Sequence, residues 1–318
     1  MLQRNESMSL LVENNEMKRK ILKLILLFSL IIICCGIALF FGNKELTLAS
    51  SVVSSFVGFL IPNGLNAAQD LMDTANWKTS ERKLIRGKFI KGETLIRISF
   101  AYLYRIKVNN NYLLVKNARG TGKYQPVGGV YKMLGSERIE LKNLYHVVDD
   151  DKVPLDKSSK DDYRLQLPCK YLRRFVRRFN SPKASRERID NVSREFKEEL
   201  GDVITWNKIE YRYCGRHMTD LKYSDHFQCY ELLLADVVEL LPTDNQIEDL
   251  KKMMLHPSDY YHFATTEEIK NLGVVPGTEM LQETIADHSQ KILQENEQNL
   301  MKEPHVKEIF SVSLNARN

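Results

Sequence analysis

The sequence Arg194-Glu195-Phe196-Lys197-Glu198-Glu199-Leu200-Gly201 decides the fold more than any other stretch of the chain. On a helix, Glu195, Glu198 and Glu199 lie at positions i, i+3 and i+4, so three carboxylates share one face. Like charges this close repel one another in water, but they become useful around a hard divalent cation such as Mg²⁺. The pattern predicts a Mg²⁺ site at these glutamates, with a solvated acidic helix face as the alternative.

A glycine turn lies upstream, in Tyr124-Gln125-Pro126-Val127-Gly128-Gly129-Val130. Glycines in such a turn allow the backbone to approach a ligand closely, although a tight turn without a ligand is the alternative. We predict Gly128 and Gly129 as ligand-binding residues, together with Arg119 and Lys123 from the segment before the turn.

The glycine turn and the glutamate-bearing helix together resemble the Nudix family, whose motif is Gly-x5-Glu-x7-Arg-Glu-U-x-Glu-Glu-x-Gly-U, with U a bulky apolar residue. The second half of the motif is matched over Arg194–Gly201. The first half departs, because Arg186 stands at the position of the first Glu and Asn180 at that of the first Gly. The nearest carboxylate, Glu187, lies one residue out of register. The resemblance extends over roughly residues 95–290.

This resemblance implies a reaction as well as a fold. Nudix hydrolases cleave a diphosphate linked to another group, with metal ions that neutralise phosphate charge and activate water. Carried over by position, Glu198 and Glu199 are metal ligands, and Glu195 is a ligand or the base that assists water. Arg194 orients a carboxylate through a salt bridge. The missing upstream Glu argues against efficient hydrolysis, since metal-assisted attack depends on accurate geometry. Whether the site is catalytic therefore stays open.

Length and charge narrow the class of protein. The 318 residues hold one good-sized domain plus an appendage, and a net charge of +5 gives no reason to expect DNA as a partner. The five cysteines fit neither the spacing of a zinc site nor a disulfide framework. We therefore expect a reduced cytosolic compartment for the soluble part.

Two apolar stretches precede the soluble region. Residues 24–42 are uncharged and long enough for a helix of about 28 Å, and residues 46–69 are again free of charge, with Pro62-Asn63-Gly64 as the expected end of the span. A pair of buried core helices is the alternative. Basic residues flank the pair on both outer ends, which places both termini on the cytoplasmic side of the membrane. Small residues such as Ser51 and Ser55 favour close packing with the first span or with another copy of the chain.

An insertion at about residues 131–180 contains a predicted helix with a strongly basic face. Its arginines share one side, while Leu172, Phe175 and Phe179 lie on the other. We predict that all four arginines bind the ligand: Arg173, Arg174, Arg177 and Arg178. Arginine pairs with phosphate oxygens in a bidentate manner, whereas contact with anionic lipid or plain solvation are the alternatives.

We predict an α+β protein in which an N-terminal two-helix transmembrane hairpin is followed by a Nudix-like α/β/α sandwich with an insertion. The expected segments are a cytoplasmic N-terminus (1–23), the hairpin (24–65), a basic linker (66–94), the Nudix-like domain (95–296) and a polar tail (297–318). Long helices are expected at residues 182–199 and 278–296. His217 and His226 flank a loop near the expected site, although surface or core positions are the alternative for both.

The combination of two spans, a basic linker and a Nudix core with an insertion resembles the SMODS-associated Nudix effectors of bacterial cyclic-oligonucleotide antiphage signalling (CBASS). That resemblance implies binding of a cyclic di- or trinucleotide, contact with membrane lipid, self-association on activation, and membrane disruption. A membrane-anchored Mg²⁺-dependent hydrolase of nucleoside or lipid-linked diphosphates is the alternative. An anchored scaffold with an inactive site is a third.

Overall fold

The computed structural model describes residues 2–44, 46–72, 76–117, 121–153, 159–274, 282–301 and 306–314. The chain forms two compact units, Met1–Arg82 and Lys83–Asn318. The helices are α1 (Leu2–Asn43), α2 (Thr47–Met72), α3 (Asn76–Arg86), α4 (Glu137–Tyr145), α5 (Leu172–Phe179), α6 (Arg194–Leu200), α7 (Asp244–Leu255) and α8 (Thr266–Lys270). The strands are β1 (Leu95–Arg105), β2 (Lys107–Val108), β3 (Asn111–Lys116), β4 (Tyr124–Pro126), β5 (Gly128–Val130), β6 (Val148–Asp149), β7 (Arg164–Pro168), β8 (Lys208–Met218), β9 (Lys222–Ser224), β10 (Cys229–Leu240), β11 (Tyr261–Thr265) and β12 (Ile309–Ser313).

The first unit contains two helices that are long and apolar enough to span a membrane. The apolar parts are Ile21–Asn43, with 23 residues, and Thr47–Leu65, with 19. At 1.5 Å per residue, the longer one measures about 34 Å, which exceeds the hydrocarbon thickness of a bilayer. Most of their large apolar side chains are exposed, so these helices are not a buried core pair within this unit.

Helix α2 continues through Pro62 to Met72, whereas its apolar span ends at Leu65, directly after the predicted Pro62-Asn63-Gly64. Proline has no N–H and leaves one helical carbonyl without its usual donor. That carbonyl belongs to Gly58, four residues before Pro62. The helix continues all the same, and in the next turn Asn63 Nδ2 donates to the Phe59 carbonyl at 3.1 Å.

The second unit is built around an eight-stranded sheet with β1 at its centre. The strand order is β12-β8-β10-β1-β7-β6, with β5 also paired to β1 and β9 to β10. Strand β10 runs parallel to β1, and the other pairs are antiparallel. Strand β1 is buried along almost its whole length because both faces of a central strand are covered.

A smaller sheet packs on one side of this unit. Its order is β11-β3-β2, with β4 also paired to β3. An apolar cluster joins the two sheets, with Leu103 from β1, Leu114 from β3, Ala235 from β10 and Ile292 from a 3₁₀ segment. This mixed α+β domain, preceded by two apolar helices, confirms the predicted fold class.

The inserted segment is part of the main sheet. Strand β7 pairs antiparallel with β1, Leu95 opposite Pro168 through Ser99 opposite Arg164. Helix α5 buries the predicted apolar side, with Phe179 packed edge-on against Phe100 at 4.7 Å between ring centroids. The insertion therefore contributes both an added strand and a covering helix to the domain.

Two helices are shorter than the sequence predicts. The helix expected at 182–199 is helical only in α6 and in a 3₁₀ turn at Ile189–Asn191, because the preceding segment is extended. In that segment Glu187 N donates to the Lys132 carbonyl at 2.9 Å, which a helix would not allow. The described part of 278–296 forms two 3₁₀ segments, Asp287–Ile292 and Gln294–Asn299, rather than a long α-helix.

Strand β12 lies within the segment predicted as a polar tail. It pairs antiparallel with β8, from Ile309 opposite Arg212 to Ser313 opposite Lys208. Because β8 would otherwise be an edge strand, this late segment completes the main sheet on that side.

Candidate functional site

The glycine turn packs directly against helix α6. Gly128 N donates to Glu199 Oε2 at 2.9 Å. A Cβ atom on Gly129 would lie 2.0 Å from Glu195 Oε1, so any larger residue would displace that carboxylate. The structure thus brings together four of the residues predicted for the site.

Gly128 marks the point where the chain passes from one sheet to the other. Strand β4 pairs with β3 in the small sheet, whereas β5, one residue later, pairs with β1 in the main sheet. At the crossing Gly128 has φ +151°, and a Cβ atom there would lie 2.2 Å from the Tyr102 carbonyl oxygen. Both the conformation and the close approach require glycine.

Arg194 joins the glycine turn to the glutamates. Its guanidinium donates to the Val130 carbonyl at 3.1 Å and pairs with Glu195, with Glu198 at 3.4 Å and with Glu187 at 3.3 Å. One cation therefore contacts three carboxylates and one strand of the turn. This arrangement is consistent with the predicted role of Arg194 as a residue that orients a carboxylate.

Glu187 is a further carboxylate of the site, although it lies one residue after the position of the first Glu in the family motif. Besides Arg194, it accepts a hydrogen bond from Lys132 N at 3.3 Å and lies 3.5 Å from the Tyr102 hydroxyl. A shift of one residue on a helix would turn the side chain by about 100°, because each residue advances the helix by that angle. The segment is extended here, so Glu187 reaches the site despite the shift. The only signal for it in the sequence is its closeness to the expected position.

Contacts from the insertion fix the position of the segment that carries Glu187. Glu137 of α4 is fully buried, and it accepts hydrogen bonds from Ser185 N at 2.8 Å, from the Tyr163 hydroxyl at 3.0 Å and from Arg178 at 2.7 and 3.1 Å. These bonds lower the pKa of Glu137 against the opposing effect of burial, so the carboxylate is charged. Because Ser185 lies two residues before Glu187, this cluster fixes the approach of the chain to the site.

Arg186, which occupies the family's Glu position, braces the same segment. Its Nε donates to the Phe179 carbonyl at 2.8 Å and its Nη1 to the Glu187 carbonyl at 2.7 Å. The guanidinium also stacks 3.7 Å from the Phe179 ring centroid. Arg186 thus replaces a family carboxylate with a structural contact between α5 and the extended segment.

The carboxylates of the site are in an environment that disfavours their charge. Burial raises the pKa of Glu199 to about 8, and the neighbouring Glu195 and Glu198 add to this, although hydrogen bonds from Gly128 and Gln125 oppose it. Burial also raises the pKa of Glu195, despite the nearby Arg194. A cation in this space would relieve both effects.

The donor set fits a hard divalent cation, and Nudix domains generally use divalent metals. Carboxylate oxygens are the preferred ligands of Mg²⁺, and Glu195, Glu198 and Glu199 are the predicted donors. Within the described ranges, no three acidic, histidine or cysteine side chains stand close enough to hold an ion as they are placed. Arg194 occupies the space between the glutamates. An ion here would have to displace Arg194 from half-exposed Glu198, with Glu195, Glu199 and Glu187 as the other oxygen donors.

Lys123, another predicted ligand contact, has an acidic partner of its own. Lys123 pairs with Glu283 at 2.6 Å, and both side chains are partly exposed. Arg119 lies outside the described residues. His226 packs edge-on against Phe227, with ring centroids 4.6 Å apart.

The arginines of α5 divide into two groups. Arg178 forms ion pairs with Glu137 and Glu140 of α4, and Arg174 lies 6.0 Å from the Tyr145 ring centroid. Arg177 is exposed, and Arg173 is partly buried. At least Arg178 is thus a brace within the domain, whereas a phosphate contact by the others stays a prediction.

The geometry defines a domain in which a glycine turn and a glutamate-bearing helix form one acidic cluster on a mixed sheet. Residues 95–293 match the family described as the SMODS-associated NUDIX domain, and the chain belongs to that family. This membership suggests a CBASS-type effector role. No curated protein and no solved structure matches the chain.

Proposed function

We propose that the protein is a membrane-anchored effector of a bacterial CBASS system. Its Nudix domain binds a cyclic di- or trinucleotide, and the bound state causes the two apolar helices to disrupt the inner membrane. The observation that supports this proposal is a glycine turn packed against a glutamate-bearing helix, in the same chain as two helices of membrane-spanning length.

Ligand binding is coupled to the membrane through a short connection. Residues 73–94, which include α3, lie between the end of α2 and the start of β1. The two apolar helices are therefore close to the domain along the chain. A domain that changes its packing or its association on binding a nucleotide can act on them through this short segment. Both chain termini lie in the cytoplasm, where the nucleotide is made.

Self-association is part of the proposal. The Ser51 and Ser55 hydroxyls donate to the carbonyls of Thr47 and Ser51, four residues earlier, at 2.8 and 2.9 Å. Their hydrogen bonds are satisfied within α2, so these positions present a small surface suited to close helix packing in lipid. Copies of the chain gathered by ligand would pack through this surface.

The test uses the full chain in lipid nanodiscs and in vesicles loaded with a self-quenched dye. Calorimetric titration with a panel of cyclic di- and trinucleotides should identify one ligand that binds, and the same ligand should release the dye. If no member of the panel binds while a nucleoside diphosphate derivative is steadily hydrolysed, the sensor proposal is wrong.

A hydrolase is the second candidate, and Glu187 is the observation in its favour. With Glu187 beside Arg194, the site has four carboxylates in place of the three that the motif comparison gives. In that case the protein is an anchored Mg²⁺-dependent hydrolase of nucleoside or lipid-linked diphosphates, with Glu195, Glu198 and Glu199 as catalytic residues. Substituting Glu198→Gln and Glu199→Gln separates the two functions, because a hydrolase loses turnover whereas a sensor keeps ligand-dependent dye release.

A further inference from the structure

A second polar cluster lies on the main sheet, away from the glutamates. His217 on β8 is in register with Ala235 on β10, which is in register with Ala101 on β1, and Ala101 with Val130 on β5. Neighbouring strands are about 4.8 Å apart, so His217 lies roughly 14 Å from Val130, whose carbonyl binds Arg194. The two clusters are therefore distinct.

Two buried polar atoms in this region have no hydrogen-bond partner. They are His217 Nδ1 and the hydroxyl of Ser289, a fully buried residue of the Asp287–Ile292 segment. That segment packs over Ala235, the neighbour of His217, through Ile292. A buried polar atom without a partner costs on the order of 1–3 kcal/mol. Two of them on adjoining elements point to a group that is bound here in the functional state.

Lys291, between Ser289 and Ile292, adds a cation. It is partly buried, and within the described part of the chain its ammonium forms no hydrogen bond or ion pair. Burial lowers its pKa; Asp287 and Glu231 oppose the change, and Lys222 adds to it.

The two acidic groups near Lys291 are already engaged. Asp287 accepts a hydrogen bond from the His288 N–H at 2.7 Å, and Glu231 pairs with Arg97 at 3.0 Å. Lys291 in turn helps burial to lower the pKa of His217 to about 4. Within the described residues, the Lys291 ammonium therefore makes no ion pair with either of these carboxylates.

We propose that Lys291 and His217 form an anion subsite that binds a phosphate group of the nucleotide ligand. Lys291 supplies the charge, and the neutral imidazole and the Ser289 hydroxyl supply hydrogen bonds. The phosphate class follows from this chemistry, while its identity as part of a nucleotide rests on the proposed function. The subsite lies on the same sheet as the glycine turn but shares no residue with it.

The test compares Lys291→Met with Lys291→Arg in the full chain, in a maltoside detergent without phospholipid and with EDTA present. The probe is inorganic pyrophosphate, followed by calorimetry. We expect Lys291→Met to weaken binding at least about tenfold, since loss of a charge-assisted contact costs this much. Lys291→Arg should stay within a few-fold of the parent protein. Lys251→Met, at an exposed position on α7, is the matched control and should bind normally.

Thermal unfolding without anion gives the second readout. A buried cation without a partner destabilises the fold, so Lys291→Met should raise the melting temperature by about 2 °C or more. A lysine with a purely structural role would lower it. Unchanged pyrophosphate affinity in Lys291→Met, a lowered melting temperature, or no pyrophosphate binding by the parent chain would each overturn the subsite.

The result also separates the subsite from the proposed function. If pyrophosphate binding depends on Lys291 but no cyclic nucleotide binds, the subsite stands and the sensor function fails. Adding a phosphatidylglycerol mixed micelle as competitor identifies the source of the phosphate. Displacement of pyrophosphate by the lipid, and not by nucleotides, would overturn the nucleotide assignment.

Discussion

Helices α6 and α5 each carry several charges of one sign. The two helices differ in how far neighbouring residues of opposite charge neutralise them. On α6, burial and neighbouring carboxylates raise the pKa of Glu199 to about 8, and a single arginine serves three glutamates. On α5, Arg178 is matched by two carboxylates of α4, while Arg177 is left in solvent. Charge that remains uncompensated in a partly buried space marks a site for a ligand, whereas compensated charge holds the fold together.

The largest effect is expected at the compensated pair. Glu137→Ala leaves Arg178 without its main partner and removes the bond to Ser185 N, so the free energy of unfolding should fall by about 3 kcal/mol or more. Urea unfolding of the full chain in detergent measures this. Glu140→Ala is the control, because the Glu140 side chain is 43% exposed and its ion pair should contribute under about 1 kcal/mol. Equal losses in both variants would contradict the distinction.

The next largest loss of stability is expected from a substitution in the glycine turn. Gly129→Ala places a methyl group where Glu195 lies, so the domain should lose about 1–3 kcal/mol and Mn²⁺ affinity should fall with it. Gly92→Ala is a suitable control, since its added Cβ meets only Lys170 Cβ at 3.6 Å, an ordinary contact. If Gly129→Ala retains both stability and Mn²⁺ affinity, the turn and α6 are not packed as described.

A pH dependence tests the uncompensated charge on α6. In the unfolded chain Glu199 ionises near its ordinary pKa of 4.5, whereas the folded domain keeps it protonated up to about pH 8. Folding stability is therefore lost as pH rises from about 4.5 to 8, and the loss persists above that range. With EDTA present, Glu199→Gln should nearly match the parent at pH 5 and exceed its stability by at least about 1 kcal/mol at pH 8.

Unfolding curves at the two pH values provide the measurement for Glu199. Glu248→Gln, at an exposed position on α7, should show no such pH-dependent gain. A gain in Glu199→Gln that is the same at pH 5 and pH 8 would show that the benefit does not come from ionisation.

The smallest effect is expected at the exposed end of α5. Arg177→Gln should change the free energy of unfolding by less than about 0.5 kcal/mol, because the side chain lies in solvent. Calorimetry with cyclic nucleotides then isolates the predicted ligand contact. Loss of nucleotide affinity at unchanged stability would assign the exposed arginines to the ligand, and unchanged affinity would leave them as a solvated surface.

The sequence was most informative where local backbone chemistry controls the structure. The glycine turn and the Arg194–Gly201 segment meet because only glycine can occupy the crossing between the sheets, and the apolar side of α5 is buried as its periodicity predicts. Both apolar N-terminal helices are also present, since a long uncharged run requires internal hydrogen bonds.

The features that the sequence did not predict depend on pairing between distant segments. Glu187 reaches Arg194 because its segment is extended beside Lys132, and β12 becomes a strand because β8 offers it an edge. Local propensity favours a helix through residues 182–199, but backbone bonds to a segment more than fifty residues earlier prevent it. Such contacts leave no local periodic signal in a single sequence.

Mn²⁺ titration of the full chain tests the central claim most directly, namely that Glu195, Glu198 and Glu199 share one cation site against the glycine turn. Calorimetry should show binding to the parent protein and a loss of at least about tenfold in affinity for the Glu198→Gln, Glu199→Gln double variant. Glu210→Gln, at an exposed position on β8, should bind like the parent. Equal Mn²⁺ affinity in the parent and the double variant would contradict the account.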